Sequence, residues 1–380
     1  MKILHLLKTS LGAAWALRQM RELVRLGVEV HVALPGGGPL IDKCQESGIH
    51  THVDQFDFPV GRPWRLAPKI RSLRRLVKEI APDLIHSHFV GTTLTMRTAL
   101  RGYSGVPRVF QVPGPLHLEY PFFSHAEMAL ADRRDYWIAS CRWTRNRYLE
   151  LGIPRDRVFL SYYGVDLNQF TTGNRGTLRA ELGLASDTKM VGMVAFMYAP
   201  KRYLGQTRGL KGHEDLIDAI RICLDRGVRL TGIFVGGPWN NCIEYEGKLR
   251  RYAELKCGDY VRFLGTRSDI ANLYSGMDLA VHPSHSENVG GALESLLMGV
   301  PTIAANVGGI PDLVSHGETG WLVPAKNPPK LAATIGYALE HLEAGKEMAL
   351  VGRERAMKLF DAERTSKEIY DIYTRILKYS

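Results

Sequence analysis

The chain has 380 residues, 45% hydrophobic and 23% charged, with 49 Lys+Arg against 39 Asp+Glu for a net charge of +10. That length accommodates two domains, each with its own core, and the composition excludes a disordered chain, a collagen and a coiled coil. No apolar run approaches the ~18 residues of a membrane span. The five cysteines are scattered with no C-x-x-C, which excludes a disulfide scaffold and a structural zinc site and predicts a reducing, cytoplasmic setting.

In chain order the pattern is strand then helix, repeated. The start has too short an apolar stretch for a signal peptide and reads as a first strand, Lys2–Leu7. A helical stretch, about Ala13–Leu26, ends at Gly27, and a strand, Val28–Leu34, runs into Pro35-Gly36-Gly37-Gly38. Further short apolar strands are predicted at Asp83–His88, Val106–Val112, Asp135–Ser140 and Val158–Tyr162. The polar, glycine-bearing segment 164–179 is predicted to be an inter-domain linker. A second series follows at Met190–Phe196, Leu230–Val235, Val261–Leu264, Leu279–His282, Thr302–Ala304 and Trp321–Val323. Short apolar strands alternating with helices imply parallel sheets covered on both faces. The expected fold is α/β, with two Rossmann-like doubly wound domains facing across a ligand-binding cleft. The first domain spans 1–167, the second 168–361, and a C-terminal helix from about Ala362 crosses back to the first domain as 362–380.

The charge is uneven. Residues 1–170 hold 23 Lys+Arg and 15 Asp+Glu, whereas 171–380 hold 26 and 24. Within 61–80, Arg62, Arg65, Lys69, Arg71, Arg74, Arg75 and Lys78 stand against one acid, Glu79. Ile70, Leu73, Val77 and Ile80 recur at helical spacing, so this is an amphipathic helix with a basic outer face. Two readings stay open: a solvated face over a core stripe, or a surface for an anionic membrane or acceptor. No nucleic-acid-binding motif accompanies the charge, so nucleic acid is not an expected partner.

The stretch 278–324 carries the most chemistry. A strand ending at His282 leads through Pro283–Asn288 and Val289 to Gly290-Gly291, which open a helix stopped by Gly299. A second glycine loop, Val307-Gly308-Gly309, opens another short helix. Glycines at a helix mouth let backbone N–H groups approach an anion, and the helix dipole adds positive potential there. Two adjacent turns of this kind predict a phosphate cradle. Glu294 is expected in the first turn of the first helix, where the dipole favours it or a ribose diol could donate to it. Glu287 lies in the entry loop and has no helix to cap. Lys211 opens a helix, an unfavourable place for a cation, so an anion is expected to offset it. A diphosphate held by Lys211 with Lys201, Arg202 or Arg208 would do so, neutralising charge on a leaving group.

These residues resemble the retaining GT-B glycosyltransferases of family 4. The matching stretches, spread over nearly the whole chain, are DLIHSH (83–88), GVDLNQF (164–170), KGHEDLIDAI (211–220), VGGP (235–238), RFLGTRSDIANLYSGMDLAVHPS (262–284) and the SENVGG and VGGIPDLV block. The resemblance implies sugar transfer from a nucleotide-sugar to an acceptor, with retention at the anomeric carbon and without a metal or cofactor. It places Glu287 on the donor sugar, Glu294 on the ribose and Lys211 on the diphosphate. It further places Gly265, Thr266 and Arg267 on the base, and the Leu11-Gly12-Ala13 turn by the sugar and phosphates; Asn288, Val289, Gly290 and Gly291 complete the donor loop. UDP-sugars are the favoured donors and GDP-sugars next. A glycan or lipid-linked acceptor and a cytoplasmic location, peripheral on the inner membrane face, complete the expectation.

Four departures touch donor geometry. Six residues rather than the usual seven separate Glu287 from Glu294. The usual arginine early in the second domain falls on Phe196. The histidine that usually ends a VTVH-like strand falls on Pro113, and His117, four residues on, is assigned its role or is a surface loop residue. Tyr163 replaces the Asn before Gly164-Val165-Asp166. Alternatives on the same architecture are a nucleotide-sugar 2-epimerase and a non-catalytic sugar-nucleotide-binding protein. The first βα turn lacks the G-x-G-x-x-G of a dehydrogenase, and no Schiff-base lysine for a pyridoxal-phosphate phosphorylase can be placed.

Overall fold

The structure is a computed structural model and describes residues 1–170 and 177–379; residues 171–176 of the expected linker lie outside the described residues. The chain divides into two compact units, Met1–Asp166 with Leu359–Ser380, and Leu167–Lys358. Among the described residues, no helix is long and apolar enough to cross a membrane.

The first unit is a seven-stranded parallel sheet: β1 Lys2–Leu6, β2 Glu29–Leu34, β3 His50–Val53, β4 Leu84–Ser87, β5 Arg108–Gln111, β6 Asp135–Ala139 and β7 Val158–Leu160. Its order is β3-β2-β1-β4-β5-β6-β7. Strand β3 was not expected, because HTHV is polar and only half-buried at an edge, without the apolar run that marks the other strands. Alternation along β2 sends Val30, Val32 and Leu34 to one face, against Leu17, Met20 and Leu23 of the helix Ala14–Arg25. Ile369, Tyr373 and Ile376 of the C-terminal helix Ala362–Tyr379 bury on that same face, which fixes the helix to this unit. The opposite face, with Leu4, Leu6 and Ala33, is covered by the helices Leu66–Ile80 and Val90–Leu100. Leu73, Val77 and Ile80 supply the buried stripe of the basic helix, as their spacing predicts.

The second unit is a six-stranded parallel sheet of β8 Lys189–Val194, β9 Leu230–Val235, β10 Val261–Gly265, β11 Leu279–His282, β12 Thr302–Ala305 and β13 Trp321–Val323. Its order, β10-β9-β8-β11-β12-β13, reverses direction between β8 and β11. In such sheets, loops leaving the two strands at the reversal part to opposite faces and open a crevice at the strand C-terminal ends.

The first unit buries an unusual amount of polar material. His5 on β1 lies in register with His86 on β4. His5 Nδ1 and His88 Nε2 share a hydrogen bond of 2.8 Å, His88 Nδ1 meets Tyr163 Oη at 2.9 Å, and His86 Nδ1 meets Tyr373 Oη of the C-terminal helix. Burial depresses the pKa of His5 to about 3 and holds His86 and His88 well below their ordinary value, with neighbouring imidazoles adding to the effect. Burial also takes His117 and His282 to about 3 and His213 to about 4. A depressed pKa means that the unfolded chain binds the proton more tightly, so this stability is present above pH 6.5 and is lost as pH falls below it. Buried Glu127, pushed up to about 7 by burial, works in the opposite direction. With six histidines against one glutamate, stability is expected to fall steeply between pH 6.5 and 5. Each neutral histidine contributes a slope of about 1.4 kcal/mol per pH unit. Urea denaturation followed by circular dichroism at pH 7.5, 6.5, 5.5 and 5.0 checks this; a flat midpoint across that range contradicts the histidine account.

Candidate active site

The site is built where the second sheet reverses. The segment after β8 leads through 199–210 to Lys211 and the helix His213–Asp225, and the loop after β11 carries Glu287 to the helix Gly290–Leu297. The Lys211 ammonium and the Glu287 carboxylate form a short ion pair, with side chains 18% and 13% exposed. The anion expected to offset a cation at this helix start is therefore a residue of the chain, Glu287. Ser284 Oγ donates to Glu287 Oε2 at 3.3 Å and the Asn288 N–H to Oε1 at 3.1 Å, so the carboxylate is held from three sides. The Lys211 ammonium also lies 5.6 Å from the centre of the Tyr198 ring.

Two glycines make this approach possible. Gly212 has φ +74°, and a Cβ there would sit 2.2 Å from the Pro283 carbonyl oxygen. Gly290 has φ +43°, and its Cβ would sit 2.7 Å from the Glu287 carboxylate. Only glycine permits both the left-handed backbone and the close packing. The two glycine turns expected to form a cradle are joined directly, because the Gly309 N–H donates to the Glu287 carbonyl oxygen at 3.2 Å. The second of them opens the short helix Ile310–Leu313.

Several sequence expectations need correction. Glu294 is the fifth residue of its helix, beyond the first turn, so the helix dipole does not account for it. Arg208 is committed elsewhere: it donates to Asp215 at 2.6 Å and its second nitrogen lies 2.7 Å from Asp218, both on the helix that follows. A guanidinium clamped by two carboxylates is not available to a diphosphate. Arg202 lies in the turn Arg202–Leu204 and lines a groove with Glu214, Glu244, Tyr245 and Lys248, and Lys201 precedes it on the exposed loop. The Arg267 guanidinium is tied to Glu181 at 2.6 Å and to Asp269 at 2.8 Å, while Thr266 beside it is exposed. Gly265 turns there with φ +67°. Asn288 and Val289 are buried, and Asn288 Oδ1 has no hydrogen-bond partner among the described residues.

His117, Gly12 and Ala13 belong to the first unit. His117 is not a surface loop residue: it lies in the short helix Leu116–Glu119, 6% exposed, with Nε2 3.0 Å from Tyr148 Oη and 3.4 Å from Glu127. It is a neutral imidazole, so it has no cationic role at neutral pH. Gly12 turns with φ +69° ahead of the first helix, and Ala13 is buried, which leaves backbone groups at that turn. Phe196, at the position of the family's arginine, packs edge-on against Trp239 at 5.4 Å, and Trp239 stacks on Tyr198 at 5.1 Å. Tyr163, at the position of the family's asparagine, is buried and donates to the Gln111 carbonyl oxygen at 3.2 Å.

Sequence reasoning missed His285 and Asp215. His285 Nε2 lies 2.6 Å from Asp215 Oδ2, and Asp215 also accepts from Arg208. Burial works against the Asp215 charge, but His285 and Arg208 outweigh it and hold the carboxyl below the usual range. This chain of polar contacts fastens the loop carrying Glu287 to the helix that Lys211 precedes. An acid in a first helical turn is too ordinary a feature to have signalled it.

Residues 13–169 match the family described as Glycosyltransferase Family 4, and residues 202–341 match Glycosyl transferases group 1. The D-inositol 3-phosphate glycosyltransferase of Nocardia farcinica is 27% identical over 372 residues, covering 88% of this chain and 78% of that protein. The protein of the same description from Mycobacteroides abscessus is 35% identical over 202 residues, 51% of this chain and 42% of that one. Among solved structures, Anabaena HepE in complex with UDP superposes with a TM-score of 0.80 at 25% identity, covering 98% of this chain and 99% of that one. With its two parallel Rossmann-like sheets and these matches, the chain is a glycosyltransferase of the GT-B kind, residues 13–169 matching a family 4 domain and residues 202–341 a group 1 domain.

Proposed function

We propose that the chain transfers a sugar from a UDP-sugar to a glycan or lipid-linked acceptor, with retention at the anomeric carbon and no metal in the reaction. The observation that carries this reading is the Lys211–Glu287 ion pair, set between two glycine turns at the reversal of the second sheet. A diphosphate entering there takes the Lys211 ammonium, and the sugar hydroxyls replace it as donors to Glu287. Each charge exchanges one partner for another, so neither is left bare in a half-buried site. Glu294 receives the ribose hydroxyls, the backbone at Gly265, Thr266 and Arg267 lines the base, and Asn288 Oδ1 gains the hydrogen bond it lacks. The solved complexes of HepE with UDP and with UDP-glucose support the choice of donor. As the diphosphate leaves, Lys211 stabilises the developing charge, with Lys201 and Arg202 of the preceding loop adding to it. Retention without a protein nucleophile fits attack on the face the diphosphate leaves, with the departing phosphate accepting the acceptor proton.

A screen of donor hydrolysis and transfer across UDP-, GDP-, ADP- and dTDP-sugars tests this, with the wild type expected to prefer UDP-sugars. Lys211→Ala is expected to lower turnover roughly 10²-fold while its far-UV spectrum stays that of the wild type. Near-wild-type turnover removes Lys211 from the mechanism, and interconversion of donors without an acceptor makes the enzyme an epimerase instead.

We further propose that the basic helix meets an anionic membrane surface. Arg62, Arg65, Arg71, Arg75 and Lys78 are exposed, and Trp64 and Val60 beside them are 69% and 85% exposed. Arg74 instead turns inward to the Ala99 carbonyl oxygen, and Lys69 reaches the Gln55 carbonyl oxygen. Cations around an exposed indole suit the headgroup level of a bilayer. Sedimentation with phosphatidylglycerol vesicles is expected at low salt and should be lost at 0.5 M NaCl or in an Arg71→Glu/Arg75→Glu variant. No sedimentation at low salt leaves the helix as a solvated face.

A further inference from the structure

The edge of the first sheet carries a cluster of ligating side chains that glycosyl transfer does not use. Strand β2 begins Glu29-Val30-His31, and the edge strand β3 begins His50-Thr51-His52. Side chains two apart on a strand share a face, and the parallel register places His31 opposite His50 and Ala33 opposite His52. One face at the N-terminal ends of two paired strands therefore presents a carboxylate and three imidazoles. Their rings are gathered: His31 stacks on His50 at 4.7 Å and on His52 at 5.2 Å. His31 Nε2 lies 3.0 Å from Glu29 Oε1, and one ligating atom from each of Glu29, His31 and His50 lies within 4.8 Å of the other two.

We propose that Glu29, His31 and His50 form a binding site for a divalent first-row transition-metal ion, Zn²⁺ in the first instance, with His52 as a positioning residue. Zinc bonds to imidazole nitrogen and carboxylate oxygen at about 2.0–2.2 Å, which puts tetrahedral ligands about 3.3 Å apart. The atoms in hand need only side-chain rotations to close to that spacing. His31 has the second contact that metal-bound histidines characteristically make, with Nδ1 2.9 Å from His52 Nε2. That bond fixes the ring and turns Nε2 toward Glu29. Glu29 and His50 are exposed, so an ion has a path in and room for water at a fourth position. The Lys2 ammonium, 3.4 Å from Glu29, is itself partly exposed and can swing away. The cysteine pattern bears only on thiolate sites and leaves this one open.

The loops of a doubly wound sheet that bind substrate leave the C-terminal ends of its strands, whereas these residues lie at the N-terminal ends. The ion would therefore be structural. It would fasten edge strand β3, which is otherwise held on one side only, to β2. This assignment is independent of the proposed donor and of the reaction.

The test uses the full chain, stripped with EDTA and dialysed, then titrated with ZnCl₂ in a calorimeter and melted with and without Zn²⁺. One equivalent is expected to bind and raise the melting temperature. His31→Ala and His50→Ala are each expected to abolish that equivalent and the rise, and His52→Ala to weaken binding about 10-fold. His50→Gln, which keeps side-chain bulk on the edge strand, should behave as His50→Ala does, with a wild-type far-UV spectrum. Failure of the wild type to bind one equivalent overturns the proposal. So does binding that persists undiminished in the His31 and His50 variants, which would place the ion elsewhere.

Discussion

The half-buried pair of Lys211 and Glu287 is the constraint around which the second unit is arranged. Each charge has lost much of its water, and each is tolerable only because the other is in contact. That contact requires the end of the 199–211 segment and the 283–289 loop to meet over the central strands β8 and β11. Meeting so closely in turn requires Gly212 against Pro283 and Gly290 against the carboxylate itself. The Arg208–Asp215–His285 chain of polar contacts reinforces the same junction from the side. The site proposed for a diphosphate is thereby kept in shape by an anion of the chain itself.

The first unit solves a different problem. Its interior contains Arg97, on the helix Val90–Leu100, and Arg108, on β5, essentially without exposure, and both are compensated in place. Arg97 lies 3.2 Å from Asp135 and 3.6 Å from Glu127, and Arg108 contacts Asp132 and Asp135. His5, His86 and His88 instead give up their charge: His5 pairs with His88, and His88 and His86 each meet a tyrosine. One of these, Tyr373, comes from the C-terminal helix, so that helix is held to this unit by polar contact as well as by Ile369 and Ile376. Arg97 and Glu127 also border His117, whose burial follows from this ionic interior.

Most of the strands were legible along the chain. Leu230–Val235 and Leu279–His282 are apolar runs between turn signals, and the glycine pairs at 290–291 and 308–309 announced helix mouths. Strand β3 was not legible, since an edge strand with half its side chains in water has no reason to be apolar. Glu287 and Lys211 were singled out, but as two separate contacts to an absent ligand. Their attachment to each other spans 76 positions and leaves no local trace. The same holds for Arg267 with Glu181 and for His117 with Tyr148, 86 and 31 positions apart.

The sequence alone determined most of the strands and helices and that two α/β units follow one another. Backbone propensity, apolar spacing and glycine placement act over a few residues and can be read along the chain. Which cations are already neutralised, which histidines have lost their charge, and which ligating side chains share a sheet face were decided only by tertiary structure. Charge and coordination depend on distances of a few ångströms between residues brought together by folding, and the linear order carries no measure of those distances.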